Sequence, residues 1–271
     1  MSALSRHNVS VSGRADGQPI VFAHGFGCDQ NMWRLITPAF EDDYRVVVFD
    51  LAGAGGADPE AYDESRHASL QGYADDVVEI CRELEITDGI FVGHSVSSMI
   101  GALADAAAPE LFEKLVMIGP SPRYIDDEGY VGGFSEADVR ELLESLESNY
   151  LGWSSAMAPA IMGNPDRPAL GDELTESFCR TDPDRARRFA EVTFLSDNRA
   201  DLSSVRKPTL VLQCAQDAIA PVAVGRYVAD HVPDATMVLL DATGHCPHLS
   251  APDQTIAAMK PFVRGDTVVS V

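Results

Sequence analysis

Ser95 has the clearest chemical signature in this 271-residue chain, because of the residues on either side of it. It stands in the run Gly93-His94-Ser95-Val96-Ser97, which follows a short apolar stretch and precedes a helix pattern rich in small residues. Such a run predicts a tight strand-to-helix turn that exposes the serine hydroxyl as a nucleophile and needs small neighbours. The usual motif ends in glycine, whereas Ser97, which is also small, stands here. A plain helix N-cap would explain Ser95 alone but not this context.

A serine hydroxyl is a weak nucleophile until a base takes its proton, and the base must be held in one tautomer by an acid. Asp217 follows an apolar run at 208–214, and Gly244-His245 follows another at 236–241. Both residues therefore stand where a strand ends and a loop begins, which is where open parallel sheets place their sites. The sequence predicts a catalytic triad of Ser95, Asp217 and His245.

Three other residues compete for the roles of acid and base. Asp241 lies at a strand end too close to His245, and Asp197 lies in a segment outside the predicted sheet. His248 follows His245 by three residues but lacks a preceding glycine that would mount it on an exposed turn. We therefore prefer Asp217 and His245, and expect His248 to have a packing or hydrogen-bonding role.

The run His24-Gly25-Phe26-Gly27 follows a third apolar stretch and predicts a loop beside the nucleophile. When a serine attacks a carbonyl group, the oxygen becomes an anion that backbone N–H groups can stabilise. We predict an oxyanion hole formed by the N–H groups of Phe26 and Val96. The alternative is that these glycines only form a turn.

Short apolar runs alternate with helical patterns, which predicts an α/β fold with a mostly parallel sheet flanked by helices. The predicted parallel strands are 20–23, 45–50, 89–93, 114–118, 208–214 and 236–241, with an antiparallel edge strand at 8–12. The alternation stops at 123–202, so we predict a core of 1–122 and 203–271 with an inserted helical cap at 123–202. The helices predicted there are 136–146, opened by a capping box of Ser135 and Asp138, 150–162, 172–179 and 184–195, with a turn at 164–168.

Composition argues against several other classes of protein. The net charge of −22, from 42 acidic and 20 basic residues, disfavours nucleic acid and anionic lipid as partners. Every apolar run is shorter than the roughly 20 residues that a membrane span needs, and residues 1–12 lack a secretory signal pattern, so we expect a cytoplasmic protein. Five widely spaced cysteines without a C-x-x-C pair predict buried reduced thiols. We predict no metal site and no cofactor.

Three longer runs extend these observations to a known family. HGFGCDQNMW at 24–33, GHSVSSM at 93–99 and GHCPHLSAP at 244–252 resemble the RsbQ group of α/β-hydrolases, as do 119–124, 130–134 and 194–202. That group includes the bacterial stress regulator RsbQ and the plant receptors for strigolactones and karrikins. The resemblance implies a four-helix cap over an apolar pocket with the triad at its floor. The candidate pocket walls are then Phe26, Phe134, Trp153, Met157 and Phe194, although each could equally be core packing.

Three functions are compatible with these residues. The first is slow hydrolysis of small hydrophobic esters or butenolide-type lactones through an acyl-enzyme on Ser95, since apolar walls suit such ligands. The second is ligand sensing, because the resemblance implies a signalling role and a phosphatase partner in a stress response. The third is carbon–carbon bond hydrolysis, since a fold and a triad do not fix the reaction.

Overall fold

A computed structural model describes residues 1–267, and its centre is a seven-stranded sheet. The strands are β1 (Ser10–Gly13), β2 (Gln18–Ala23), β3 (Tyr44–Phe49), β4 (Gly89–His94), β5 (Phe112–Ile118), β6 (Thr209–Gln216) and β7 (Ala235–Thr243). Their order is β1-β3-β2-β4-β5-β6-β7, and β1 alone pairs antiparallel, at the edge of the sheet. The predicted strands are confirmed, with the edge strand beginning two residues later than predicted.

Helices cover both faces of this sheet. They are α1 (Ala3–Arg6), α2 (Leu70–Glu83), α3 (Val96–Ala107), α4 (Glu136–Ser148), α5 (Tyr150–Met162), α6 (Pro168–Arg180), α7 (Pro183–Phe194), α8 (Val222–His231), α9 (Pro247–Ser250) and α10 (Pro252–Arg264). Along β2, Val21 packs into a cluster with α2, α3 and α8, whereas Ile20 and Phe22 pack into a second cluster with α10 and the inserted helices. Successive strand residues point to opposite faces, so a strand buried on both sides is apolar throughout.

The four inserted helices α4–α7 lie between β5 and β6, as the interruption of the sequence pattern predicted. The capping box is present, because the Ser135 hydroxyl accepts from the Asp138 N–H and the Asp138 carboxylate accepts from the Ser135 N–H. Helix α6 begins at Pro168, four residues before the predicted start. Proline is favoured in the first helical turn, where its missing N–H has no acceptor to lose. The predicted turn at 164–168 therefore ends one residue earlier.

Three further features bear on the sequence predictions. No helix within residues 1–267 is long and apolar enough to cross a membrane. The thiol of Cys179 is exposed on α6, so the prediction that all five thiols are buried is wrong for this one. The sequence around Cys179 does not show which face of α6 packs against the neighbouring helix, so the exposure of this thiol could not be predicted. The last four residues of the predicted core, 268–271, lie outside the described part of the chain.

Asp105 on α3 is a buried carboxylate whose burial raises its pKa to about 6, although Lys207 lies 4.0 Å away and lowers it. Above pH 6 the Asp105 carboxylate is ionised in both states, but its negative charge is less favourable in the folded chain. This lowers the free energy of unfolding. We expect Asp105→Asn to stabilise the protein by about 1–2 kcal/mol at pH 7.5 and by clearly less at pH 4.5, because the penalty declines as the pH falls from the folded pKa towards that of an ordinary aspartate. Urea unfolding at both pH values measures this difference. The exposed Asp172→Asn is the control, and equal effects of the two substitutions would contradict the explanation.

Candidate active site

Ser95 lies on the turn between β4 and α3 in a strained backbone conformation, with φ 57° and ψ −125°. The turn is so tight that a Cβ atom on Gly93 would lie 2.4 Å from the backbone oxygen of Ser97. Glycine is therefore required at position 93. Ser97 is accommodated because its hydroxyl donates a hydrogen bond to the backbone oxygen of His24. The residue that departs from the usual motif thus joins the elbow to the predicted oxyanion loop.

The structure brings together the three residues of the predicted triad. His245 Nε2 lies 2.8 Å from Ser95 Oγ, and His245 Nδ1 lies 2.8 Å from Asp217 Oδ2. Ser95 and His245 are 5% and 4% exposed, so the hydrogen bonds between them are shielded from water. This arrangement can move a proton from the serine hydroxyl to the imidazole while the carboxylate holds the ring orientation.

The residues that competed for these roles lie elsewhere. Asp241 is exposed on β7. Asp197 forms ion pairs with Arg123 and Arg199 at 3.0 and 2.7 Å. His248 is fully buried and packs against the rings of Trp33 and His94, with centroid distances of 4.9 and 4.5 Å.

Asp217 is held as a carboxylate by its surroundings. Burial alone would raise its pKa, but the nearby His245 and hydrogen bonds from that ring and from the backbone outweigh it, and the net pKa is lowered. The N–H groups of Ile219 and Ala220 donate to Oδ1 at 2.8 and 3.0 Å, which leaves Oδ2 for the histidine. The loop after β6 therefore fixes both oxygens and directs one of them at His245.

The loop that carries His245 is bound on two sides. The Gly244 N–H donates to the Gln216 oxygen at 2.7 Å, and the His245 N–H donates to the Ile161 oxygen at 2.9 Å. Gly244 has φ +91°, and a Cβ atom there would lie 1.8 Å from the backbone oxygen of Met162. Position 244 therefore needs glycine. Helix α5 of the insertion directly supports the proposed base.

The two predicted oxyanion donors lie on either side of the nucleophile. Val96 is the first residue of α3, where the helix offers its N–H no acceptor. The loop holding Phe26 passes close by, since a Cβ atom on Gly25 would lie 3.1 Å from Ser95 Cβ. Their role as donors to a bound substrate stays a prediction.

A small cavity of about 30 Å³ is lined by Ser95 and His245. Of the predicted walls, Phe26 and Phe194 line it. The rings of Trp153 and Phe134 lie behind them, with centroids 6.1 Å from Phe26 and 6.4 Å from Phe194 respectively, and Met157 packs in the same apolar cluster. The other residues lining the cavity are Cys28, His94, Ser95, Tyr124, Ile161, Leu174, Phe178, Thr193, Ile219, His245 and Cys246.

Two lining residues had no assigned role in the sequence analysis. The hydroxyl of Tyr124 lies 3.2 Å from Ser95 Oγ, and burial raises the pKa of this phenol, so it stays protonated. Phe178 on α6 contacts Phe26 at a centroid distance of 5.5 Å and helps to close the cavity. The sequence signals for Tyr124 were its position shortly after β5 and its place in the family-like run 119–124. Nothing local to α6 indicates that Phe178 faces the nucleophile.

Comparison with known proteins defines the class of this protein. Residues 20–258 match the model of the "Alpha/beta hydrolase family", and the chain belongs to that family. It is 41% identical to strigolactone esterase D14 of Arabidopsis thaliana, covering 93% of this chain and 96% of the relative. It is 38% identical to the karrikin insensitive 2 receptor CA of Petunia hybrida, over 97% of each chain. These relatives confirm the resemblance that the sequence motifs indicated.

The fold is shared with a solved structure as well. A hydrolase from Oleispira antarctica superimposes with a TM-score of 0.94 at 38% identity, covering 97% of each chain. The protein is therefore an enzyme of the α/β-hydrolase class, within the branch that contains both esterases and small-molecule receptors.

Proposed function

We propose that this protein hydrolyses small hydrophobic esters or butenolide-type lactones through an acyl-enzyme on Ser95. The observation that supports this most directly is the position of His245, 2.8 Å from both Ser95 Oγ and Asp217 Oδ2, beside an apolar cavity. No cofactor is needed for such a reaction, because the nucleophile, base and acid are all side chains of this chain.

The first half of the reaction forms the acyl-enzyme. Ser95 Oγ attacks the carbonyl carbon while its proton passes to His245 Nε2, and Asp217 stabilises the resulting imidazolium. The N–H groups of Phe26 and Val96 stabilise the oxyanion. The tetrahedral intermediate then expels the alcohol oxygen, which takes the proton from His245. With a lactone substrate, this alcohol stays attached to the acyl group as the ring opens.

The second half clears the serine. A water molecule gives a proton to His245 and attacks the acyl carbon, and Ser95 leaves with that proton as the carboxylic acid is released. Because the cavity holds only about 30 Å³, a ligand must displace aromatic side chains or inserted helices before it can bind. We propose that this displacement makes turnover slow.

A series of p-nitrophenyl esters from acetate to octanoate, together with a fluorogenic butenolide, tests the proposal. We expect kcat/KM to fall as the acyl chain lengthens, because the small cavity opposes large groups. Phe178→Ala removes a ring from the cavity wall and should raise kcat/KM for octanoate relative to acetate by about tenfold or more, since even one methylene group changes discrimination in an apolar pocket by at least about tenfold.

Leu151→Ala is the matched control, since this exposed side chain on α5 lies away from the cavity. If the protein hydrolyses none of these substrates, the proposed activity is wrong. An unchanged chain-length preference in Phe178→Ala would instead show that this ring does not limit the pocket.

A second proposed function is ligand sensing, favoured by the 38% identity to a karrikin receptor over nearly the whole chain. In this proposal, a ligand captured beside Ser95 changes the surface of the inserted helices, which a partner such as a signalling phosphatase then binds. The contact of the His245 N–H with Ile161 in α5 provides a physical link between the site and that surface.

A pull-down of a PAS-type phosphatase with and without the butenolide tests this second function. Ligand-dependent capture supports sensing. Full turnover with no capture in either condition would leave a hydrolase without this partner.

A further inference from the structure

Three buried side chains lie together behind the proposed triad and take no part in it. His94, Cys246 and His248 each place a potential ligand atom within 4.8 Å of the other two. His94 precedes the nucleophile in the chain, and Cys246 follows the base. They are 2%, 1% and 0% exposed respectively, so the cluster is shielded from water.

The two histidines have unused hydrogen-bonding capacity. Within residues 1–267, His94 Nδ1 and both ring nitrogens of His248 have no hydrogen-bond partner. A buried polar atom without a partner costs about 1–3 kcal/mol, so such atoms call for an explanation. Burial lowers the pKa of His94 to about 3 and that of His248 well below its ordinary value, which keeps both rings neutral, each with a free lone pair.

His94 also has a hydrogen bond that is typical of metal-binding histidines. Its Nε2 lies 2.8 Å from the backbone oxygen of His245 and donates to it. Metal-bound imidazoles commonly donate the other ring N–H to a backbone carbonyl, which fixes the tautomer and the ring orientation.

We propose that His94, Cys246 and His248 form a binding site for Cu(I). One thiolate and two imidazoles are a soft donor set, which suits Cu(I). A single thiolate neutralises a monovalent ion, whereas Zn²⁺ would leave a net positive charge in a buried site. Structural zinc also prefers four ligands. The charge balance and the number of ligands therefore both favour Cu(I).

The site can form without a large rearrangement. Three ligands around one ion would lie about 3.5–4 Å apart, using nitrogen and sulfur bond lengths of about 2.0 and 2.3 Å. Because the potential ligand atoms already lie within 4.8 Å of one another, the side chains need to approach by about 1.3 Å at most. His94 and Cys246 line the cavity at Ser95, which gives the ion a route to the cluster.

Binding must release a proton. The Cys246 thiol loses its proton to solvent as the copper–sulfur bond forms, and no electron is transferred. Because burial raises the pKa of this thiol well above its ordinary value, the affinity should increase with pH. The sequence predicts no metal site, because it lacks a motif with metal-ligand spacing such as H-E-x-x-H and has no carboxylate pattern around His245 and His248. His94 joins Cys246 and His248 only in the folded chain.

The test is a competition for Cu(I) between the whole protein and the chromophoric chelator bicinchoninate, under anaerobic reducing conditions. We expect one equivalent of Cu(I) to bind, and Cys246→Ser and His248→Gln each to weaken the affinity by about 100-fold or more. Cys179→Ser is the control, because it removes the exposed thiol and should leave the affinity unchanged.

X-ray absorption of the copper-loaded wild-type protein gives a readout that does not depend on the folding of a variant. We expect one sulfur and two nitrogen neighbours around the copper. Circular dichroism shows which variants remain folded. The proposal would be overturned if a folded Cys246→Ser variant kept the wild-type affinity for Cu(I). It would also be overturned if the copper had no sulfur neighbour, or if only Cys179→Ser lost binding.

Discussion

Replacement of Ser95 by alanine is expected to lower kcat for ester hydrolysis by about 10⁶-fold, to a residual rate supported by the oxyanion donors and the pocket. Ser95 Oγ is the only hydroxyl within the described chain that lies 2.8 Å from the imidazole of His245. Without it no acyl-enzyme can form at this position, and water must attack the bound ester directly. Steady-state kinetics with p-nitrophenyl acetate measure the loss, and mass spectrometry of wild type and variant detects the acyl adduct.

Ser154→Ala is the matched control for this substitution. Ser154 is also fully buried, on α5, but its hydroxyl donates to the backbone oxygen of Tyr150 and does not line the cavity. We expect its rate to stay within a few-fold of wild type. A variant lacking Ser95 that retained its activity or its acyl adduct would remove this residue as the nucleophile.

Asp217→Asn is expected to reduce kcat by about 10⁴-fold with little change in KM. The asparagine amide has nearly the same shape but no charge to stabilise the imidazolium that forms when His245 takes the serine proton. Its NH₂ group can also turn towards His245 Nδ1 and select the wrong tautomer. Stopped-flow or steady-state measurement of kcat and KM separates this effect from weaker substrate binding.

The rival carboxylates provide the controls for Asp217. Asp241→Asn changes an exposed residue on β7, and Asp197→Asn breaks surface ion pairs with Arg123 and Arg199. Neither is expected to change kcat by more than a few-fold. If kcat fell several thousand-fold in Asp241→Asn or Asp197→Asn while Asp217→Asn kept its activity, the catalytic acid would be Asp241 or Asp197 instead.

Local patterns in the sequence were sufficient for much of the fold. The strands were predictable because burial on both faces makes a parallel strand apolar throughout. The elbow was predictable because only small residues fit at a tight turn, and the clash of a Cβ atom at Gly93 shows how strict that requirement is. The inserted helices were predictable in place and number, but the start of α6 was not, because Pro168 suits both a turn and a first helical turn.

The side chains that line the cavity could not be predicted from local patterns. Phe26 and Phe194 line the cavity, whereas Phe134 and Trp153 contact these rings from behind, and their amphipathic spacing is compatible with either place. Tyr124 reaches Ser95 only because β4 and β5 are adjacent in the sheet. The side chain that meets the nucleophile is set by packing between segments that are distant in the chain.

By itself, the sequence determined the type of each reactive group and the strand end that carries it, because strand and turn preferences act over a few residues. Only the tertiary structure decided which of these groups meet. The 2.8 Å contacts of His245 with Ser95 and Asp217 join three separate strand ends. His94 comes near Cys246 and His248 because β4 ends beside the loop after β7. Distances between such segments depend on the packing of the whole sheet and its helices, which short-range patterns do not contain.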